Sequence, residues 1–356
     1  MNKVVIVVPK LTITGGNLEA ERLLDDLKSV GLSGTMVPIF PSNCRRAQAI
    51  LGAPFFAIGL VVFLLSHRPS ILILTHYTTL PFAVFKPFLG VKICVFVQDF
   101  EWLFLSPIPA VQKLMKSFHM LIYNKVDCFI FGNTYLNSNF PARALRHLRL
   151  SPHPAGILYP VGSPSDYSAL SACRQDLPDS YDIGLILRNG WLKNESMYYN
   201  VLATLVQTDS ALSRSVTAVN LLRDSASASK YSALGVNVRP KMSREDLYSW
   251  MCGLKLFLCL SIHEGFGLPP LEAMALGVIP LVLQNGGCMA YLGEFPELVL
   301  PRNSSAQVIA DNIYKILSWS DCFKADLVRR LKSTALHYQA SARHARLFAA
   351  QDIATL

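Results

Sequence analysis

Short apolar runs rich in β-branched residues recur along this chain, each followed by a stretch of helical character. In the first half they read Val4–Val8, Thr35–Phe40, Ile71–Thr75, Lys92–Gln98 and Cys128–Phe131. The runs are apolar without alternation, so both faces of each strand are expected to be buried. A sheet buried on both faces needs helices on both faces, which implies parallel strands joined by helical crossovers. The helices fall from about Leu18, over the apolar stretch after Arg46, and near Pro81–Leu89. Around Ser151–Ser171 the alternation stops in a stretch rich in Pro, Gly and Ser that reads as a linker. It restarts with strand-like Ile183–Leu187, Val216–Val219, Val236–Val238, Leu254–Leu260 and Ile279–Leu283, with helices from about Glu195 and at Glu245–Cys252 and Leu271–Leu276. From Ala306 to Gln351 the pattern is mostly helical. The expected fold is α/β, two Rossmann-like doubly wound domains facing a central cleft, with C-terminal helices. The division is 1–160, 161–335 and a last helix, 336–356, packing back toward the first domain. In such a pair the ligand is expected in the cleft, outside the carboxyl ends of the strands.

A chain that is 51% hydrophobic and 16% charged can bury cores of this size, which excludes disorder and fibrous repeats. Its net charge of +9 is uneven, because residues 1–170 hold 15 Lys/Arg against 8 Asp/Glu while residues 171–356 hold 18 against 16. With no run of like charge and no aromatic-and-basic motif, the excess points away from nucleic acid and toward an anionic ligand or membrane surface. The eight cysteines are scattered without metal-ligand spacing and read as core thiols of a reducing cytosol. The opening MNKVVIVVPK has an apolar stretch too short for a signal peptide and reads as a first strand.

Ala47–Ser66 carries no charge over 20 residues and meets the length of a bilayer span. Strands on either side of it argue otherwise, since one parallel sheet cannot lie on both sides of a membrane. Gly52 and Pro54 should break its first half, leaving about a dozen helical residues packed on the sheet or dipping into one leaflet.

The most informative stretch is Ser261–Gly287, SIHEGFGLPPLEAMALGVIPLVLQNGG. It follows a buried strand, opens with a glycine-rich loop at Glu264–Gly267 and starts a helix at Pro269–Pro270, where proline suits the first turn. Amides of the loop and helix end can bind an anion or a sugar oxygen, and Glu264 and Glu272 can each accept from paired hydroxyls. This segment, EGFGLPPLEAMALG, resembles the signature of retaining glycosyltransferases of family 4, which have the GT-B fold. The resemblance implies that Glu264 contacts hydroxyls of the donor sugar, that Glu272 holds the nucleotide ribose, and that Gly265, Phe266 and Gly267 line the donor site.

Other segments agree with the family in order. Gly15 and Gly16 lie in a loop before a helix capped by Asn17, where the resemblance implies close approach to a diphosphate and the alternative is a tight turn. Arg188 and Lys193 follow a strand of the second domain, where family members neutralise the departing diphosphate, and solvated surface charge is the alternative. MSREDL at Met242–Leu247 resembles the family's loop near the nucleotide base, and QNGG at Gln284–Gly287 the loop near the donor phosphates.

One segment departs from the family. Many members have a histidine at the end of the strand that here reads VFVQDFEWLF, whereas this chain has Gln98, Asp99 and Glu101. That segment resembles a subset including rhamnosyltransferases of bacterial surface-polysaccharide assembly. Asp99 could orient the acceptor hydroxyl or accept its proton, or Asp99 and Glu101 could cap a helix or pair with a cation. His76, at the end of LILTH, is a second acceptor-side group, with a structural role as the alternative. Without an Asp-x-Asp motif no divalent metal is expected, and no cofactor beyond the nucleotide-sugar donor.

The resemblance implies a glycosyltransferase that uses a nucleotide sugar to build a lipopolysaccharide O-antigen or another cell-envelope glycan. It is expected in the cytoplasm, peripheral at the inner face of the cell membrane, with a lipid-linked glycan acceptor. The competing readings are a catalytically silent GT-B subunit supporting a partner transferase, whose mark would be loss of Glu264 or Glu272, and a GT-B epimerase or sugar phosphorylase.

Overall fold

The computed structural model describes residues 3–10, 15–41, 46–76, 78–100, 103, 108–143, 155–160, 181–209, 215–222 and 225–356. The chain divides into two compact units, Met1–Pro164 with Ser341–Leu356, and Ser165–Ala340. These limits fall a few residues later than the sequence divisions at 160 and 335.

In the first unit the described strands are β1 (Lys3–Val8), β2 (Ser33–Pro38), β3 (Ile71–Leu74), β4 (Lys92–Val97), β5 (Cys128–Phe131) and β6 (Ala155–Leu158). They pair in parallel in the order β2-β1-β3-β4-β5-β6. β6 lies inside the stretch read as a linker. Its four residues, AGIL, are too few and too small to stand out between prolines, and only pairing with β5 makes them a strand.

The crossovers are α1 (Gly15–Ser29), α2 (Arg46–His67), a 3-10 turn at Leu80–Phe85 running into α3 (Lys86–Leu89), α4 (Pro109–Tyr123) and α5 (Thr134–Arg143). Because the step from β1 to β2 runs toward one edge and every later step toward the other, right-handed crossovers put α1 on one face and α2 to α5 on the opposite face. The packing agrees: Val5, Val7, Leu72 and Val95 of the strands share one buried cluster with Leu60 and Leu64 of α2, Phe82 of the turn and Met120 of α4. α2 runs unbroken over 22 residues, so Pro54 does not shorten it as expected. A proline forfeits one backbone bond and bends a helix, and the turns beyond it are anchored on the sheet by Leu60 and Leu64, 4% and 1% exposed. Among the described residues no helix is long and apolar enough to cross a membrane.

In the second unit the strands are β7 (Tyr181–Arg188), β8 (Val216–Leu221), β9 (Asn237–Arg239), β10 (Leu254–Cys259), β11 (Ile279–Leu283) and β12 (Val299–Leu300), in the order β12-β11-β10-β7-β8-β9. The helices are α6 (Glu195–Thr208), α7 (Ser225–Ser232), α8 (Arg244–Cys252), α9 (Leu268–Leu276), α10 (Met289–Leu292), α11 (Ala306–Leu317) and α12 (Asp321–Ala354). The fold is the expected one, two parallel-sheet Rossmann-like units with a helical C-terminus.

The last part of α12 belongs to the first unit. There Arg346 Nε lies 3.3 Å from Asp26 Oδ2, and its guanidinium also donates to the Pro160 carbonyl at 3.5 Å. The Tyr159 hydroxyl donates to the same Asp26 oxygen at 2.5 Å. Burial first, and the Asp26 carboxylate second, push that phenol far above its ordinary pKa, so it remains a donor at any physiological pH.

Candidate active site

β7 ends on Arg188, and the chain turns through Gly190, at φ 122°, into a 3-10 turn at Trp191–Lys193 and a left-handed Asn194. Asparagine tolerates that conformation because its short polar side chain bonds locally. Three hydrogen bonds fasten the turn to the end of β10: Ile262 N to the Leu192 carbonyl at 2.8 Å, Asn194 Nδ2 to the Leu260 carbonyl at 3.0 Å, and Leu260 N to the Tyr198 hydroxyl at 2.8 Å. Lys193 is thereby held against the loop after β10, its Nζ 2.8 Å from Glu264 Oε1.

The backbone of Glu264 is fixed from the other side by the loop after β11. Glu264 N donates to the Asn285 carbonyl at 3.2 Å, and Gly287 N to the Glu264 carbonyl at 3.0 Å. Only glycines permit this approach. A Cβ on Gly287 would come 2.5 Å from the Phe266 backbone, and one on Gly267, at φ +84°, would come 2.4 Å from Cys288 Sγ. The Tyr291 hydroxyl closes the loop by donating to the Gly267 carbonyl.

α9 begins at Leu268, so Pro269 and Pro270 stand in its first turn, where the sequence reading put them. They pre-set the helical φ and also remove two amide donors from the helix end, leaving fewer N–H groups for an anion than the sequence position suggests.

Arg188, Lys193, Tyr198, Ser261, Glu264 and Pro269 border a shallow depression. Burial alone would raise the Glu264 pKa. The Lys193 ammonium, Ser261 and Arg188 together outweigh it and hold the carboxyl below the usual carboxylate range. Glu264 is therefore a fixed anion beside two cations.

Glu272, 4% exposed on α9, has the opposite balance. Arg244 Nη2 donates to Glu272 Oε1 at 2.8 Å and the Tyr248 hydroxyl donates to the same oxygen at 3.0 Å, while Arg244 Nε donates to that hydroxyl at 2.5 Å. Burial nevertheless prevails and raises the carboxyl's pKa, with Arg244, Tyr248 and Arg188 acting against it. Sequence reasoning placed MSREDL near this site without finding that Arg244 and Tyr248 grip Glu272. α8 sets them one turn apart, and Ser243, which caps the helix by accepting from Asp246 N, was the available sign that the helix starts there.

The remaining candidates lie in the first unit. Gly15 and Gly16 form the first turn of α1, not a loop before it, and Asn17 is inside the helix. Its Nδ2 donates to the Lys10 carbonyl at 2.6 Å, tying α1 to the exit of β1 instead of capping the helix. Residues 11–14, which precede these glycines, lie outside the described residues, as does Glu101. Asp99 follows β4 and accepts from Phe100 N at 2.7 Å. His76 follows the neighbouring β3, with Nδ1 2.9 Å from the Thr78 hydroxyl. Burial first, then the nearby His119, lower its pKa to about 4, so its ring is neutral at pH 7. His76 and Asp99 thus stand beyond the carboxyl ends of adjacent strands of one sheet.

Among the described residues no group of three or more His, Cys, Asp or Glu is placed to hold a metal ion.

Residues 226–335 match the family described as glycosyl transferases group 1, so that domain lies within the second unit. A protein of Sulfolobus islandicus filamentous virus, provisionally named glycosyltransferase 41, is 51% identical over 56 residues, 16% of this chain and 17% of its own. The GDP-mannose:cellobiosyl-diphosphopolyprenol alpha-mannosyltransferase of Xanthomonas oryzae pv. oryzae is 35% identical over 83 residues, 23% of this chain and 19% of that one. These matches span less than a fifth of the length of either relative. Over the whole chain, the solved sucrose-phosphate synthase of Thermosynechococcus elongatus superposes with a TM-score of 0.72 at 15% identity, covering 100% of both. The trehalose-6-phosphate synthase OtsA gives 0.71 at 13% identity, covering 100% of this chain and 99% of its own. The two-unit architecture is the GT-B fold.

Proposed function

We propose that the protein is a glycosyltransferase that moves a hexose or deoxyhexose from a nucleotide-sugar donor, with retention, to a glycan acceptor in cell-envelope polysaccharide assembly. The observation that carries this reading is Glu264, inside the segment that matches group 1 glycosyltransferases, pinned beside Lys193 and Arg188 where β10 and β7 end. Breaking a sugar–diphosphate bond places growing negative charge on the leaving phosphate and positive charge on the anomeric carbon. Arg188 and Lys193 are the cations for the first, without a divalent metal, and the Glu264 carboxylate accepts from sugar hydroxyls as the second develops. Glu272, held by Arg244 and Tyr248, takes the ribose hydroxyls. Gly15 and Gly16 border the donor phosphates, and Asp99 and His76 face the acceptor, with His76 neutral and able to accept a proton.

A lipid-linked acceptor and peripheral membrane contact belong to the same proposal. Their support is the cationic first half and the named activity of the Xanthomonas relative on a diphosphopolyprenol. The sugar, whether mannose, rhamnose or another, follows from assay. Wild type, Glu264→Gln and Glu272→Gln would be incubated with GDP-, UDP- and dTDP-sugars and donor hydrolysis followed, with calorimetric titration of the bare nucleoside diphosphates. Wild type should hydrolyse one donor class, Glu264→Gln should lose turnover while binding nucleotide, and Glu272→Gln should lose nucleotide affinity. A folded wild type that neither hydrolyses nor binds any of them would leave the silent-subunit reading in its place.

A further inference from the structure

Crossover helices in a doubly wound domain bury one side on the sheet and ordinarily turn charged residues outward. On the α2 face of the first sheet, α2, the Leu80–Leu89 turn and α4 turn large apolar side chains outward as well. α2 buries Leu60 and Leu64 and exposes Phe55, Ile58, Val62 and Leu65 by 49% to 77%. α4 buries Met120 and Ile122 and exposes Val111, Leu114, Phe118 and Leu121, a stripe at three- and four-residue spacing along one side. Between them in the chain, the Leu80–Leu89 turn, which packs against α4, adds Val84 and Phe88. Of seventeen large apolar side chains exposed among the described residues, eleven lie between Phe55 and Leu121. Scattered exposed leucines need no explanation, but a face built by three neighbouring elements does.

Charge indicates what covers it. From Leu27 to Val126 the chain has nine Lys and Arg and only two carboxylates, Asp99 and Glu101, both in the segment after β4. Lys113 on α4, Lys125 just beyond it and Arg68 just beyond α2 are exposed. Apolar stripes flanked by cations and almost free of anions suit a helix lying at the headgroup boundary, its apolar side chains among acyl chains and its amines at lipid phosphates. A second copy of this chain would bring the same positive charge to the same patch, which opposes self-association.

We propose that the face formed by α2, the Leu80–Leu89 turn and α4 docks on an anionic phospholipid bilayer, with α4 lying in the plane of the interface. This deepens the membrane contact in the functional reading above, and its test uses neither donor nor acceptor.

The full chain would be sedimented with phosphatidylcholine vesicles and with vesicles that also contain phosphatidylglycerol. It should bind the second and not the first, and salt should weaken the binding. Leu114→Gln with Leu121→Gln should lower partitioning roughly tenfold or more, since two side chains lose their apolar burial. Lys113→Glu with Lys125→Glu should lower it on anionic vesicles, and Val308→Gln, exposed on α11 in the other unit, should not. With Phe118→Trp the emission should shift to the blue on vesicle addition. The proposal fails if wild type stays in the supernatant with both vesicle types, or if both double variants bind as wild type does. It fails also if wild type is a dimer that Leu114→Gln with Leu121→Gln converts to monomer while vesicles bind neither. Donor hydrolysis measured without vesicles keeps the two readings apart: a chain that binds vesicles but is inert to donors loses the transferase and keeps the docking face, and the reverse result does the opposite.

Discussion

Glu264 and Glu272 stand on one loop and the helix that follows it, yet their surroundings move their carboxyls in opposite directions. For Glu264 the folded pKa is below the unfolded one, so its contribution to stability is present above the ordinary carboxylate pKa and is lost as pH falls through the lower folded value. For Glu272 the folded pKa is above the unfolded one, so its contribution runs the other way and stability declines as pH rises through it. Arg244 limits that decline. Arg244→Leu should therefore destabilise the protein at pH 7 by about 2–3 kcal/mol, below the cost of stripping a fully dry pair because Arg244 keeps some solvent contact. Urea titration at pH 7 measures this, and adding Glu272→Gln should recover most of the loss. Gly267→Ala meets both a left-handed backbone and the Cys288 sulfur, so it should cost about 2–4 kcal/mol in the same titration. A midpoint equal to wild type would mean the loop relaxes freely. The two glutamates were singled out because EGFGLPPLEAMALG resembles a family signature and because the glycines and prolines around them mark a tight loop running into a helix. Their partners were not, since Lys193 and Arg244 reach them across 71 and 28 residues of chain, through turns whose direction is set by tertiary bonds.

Strands of unbroken Val, Ile, Leu and Phe were legible because such runs have no stable place except inside a sheet. β6 and the two-residue β12 were missed because they take their identity from the neighbour they pair with. The start of α1 was misplaced because glycine is a poor helix former and Asn17 looked like a cap. A half-buried histidine at the end of β3 and a buried one in α4 lend these elements a pH sensitivity. His119 is 1% exposed, and burial lowers its pKa to about 4, as it does for His76. Each is neutral in the fold, so the unfolded chain binds more protons below the ordinary histidine pKa. Stability should fall as pH drops from about 6.5 toward 4, with a ceiling of about 3 kcal/mol for His119. Urea titrations at pH 7.5 and 5.0 should show the drop, and His119→Gln should reduce it; an unchanged pH dependence would move its origin elsewhere. At the last turns of α12, Arg346→Ala leaves Asp26 without its cation and should expose the segment after Ala340 to faster proteolysis, read by mass spectrometry of the released peptide.

For the whole molecule, the proposed role of Arg188 and Lys193 as the cations of the donor site predicts that turnover persists in excess EDTA. Complete loss restored by magnesium or manganese would reverse that reading. The division of the chain has a different consequence. Ser341–Leu356 completes a unit whose other part is Met1–Pro164, with the entire second unit lying between them in sequence. During synthesis the leading residues emerge early, but the guanidinium that meets Asp26 and Pro160 is made only after the second unit has been translated. Until then the nascent first unit carries an Asp26 that lacks its cation and an open seat for a helix, the condition in which chaperones engage a growing chain. A ribosome that stops short of Ser341 would release a product lacking that closure, so premature termination would leave its trace in the part of the protein made first.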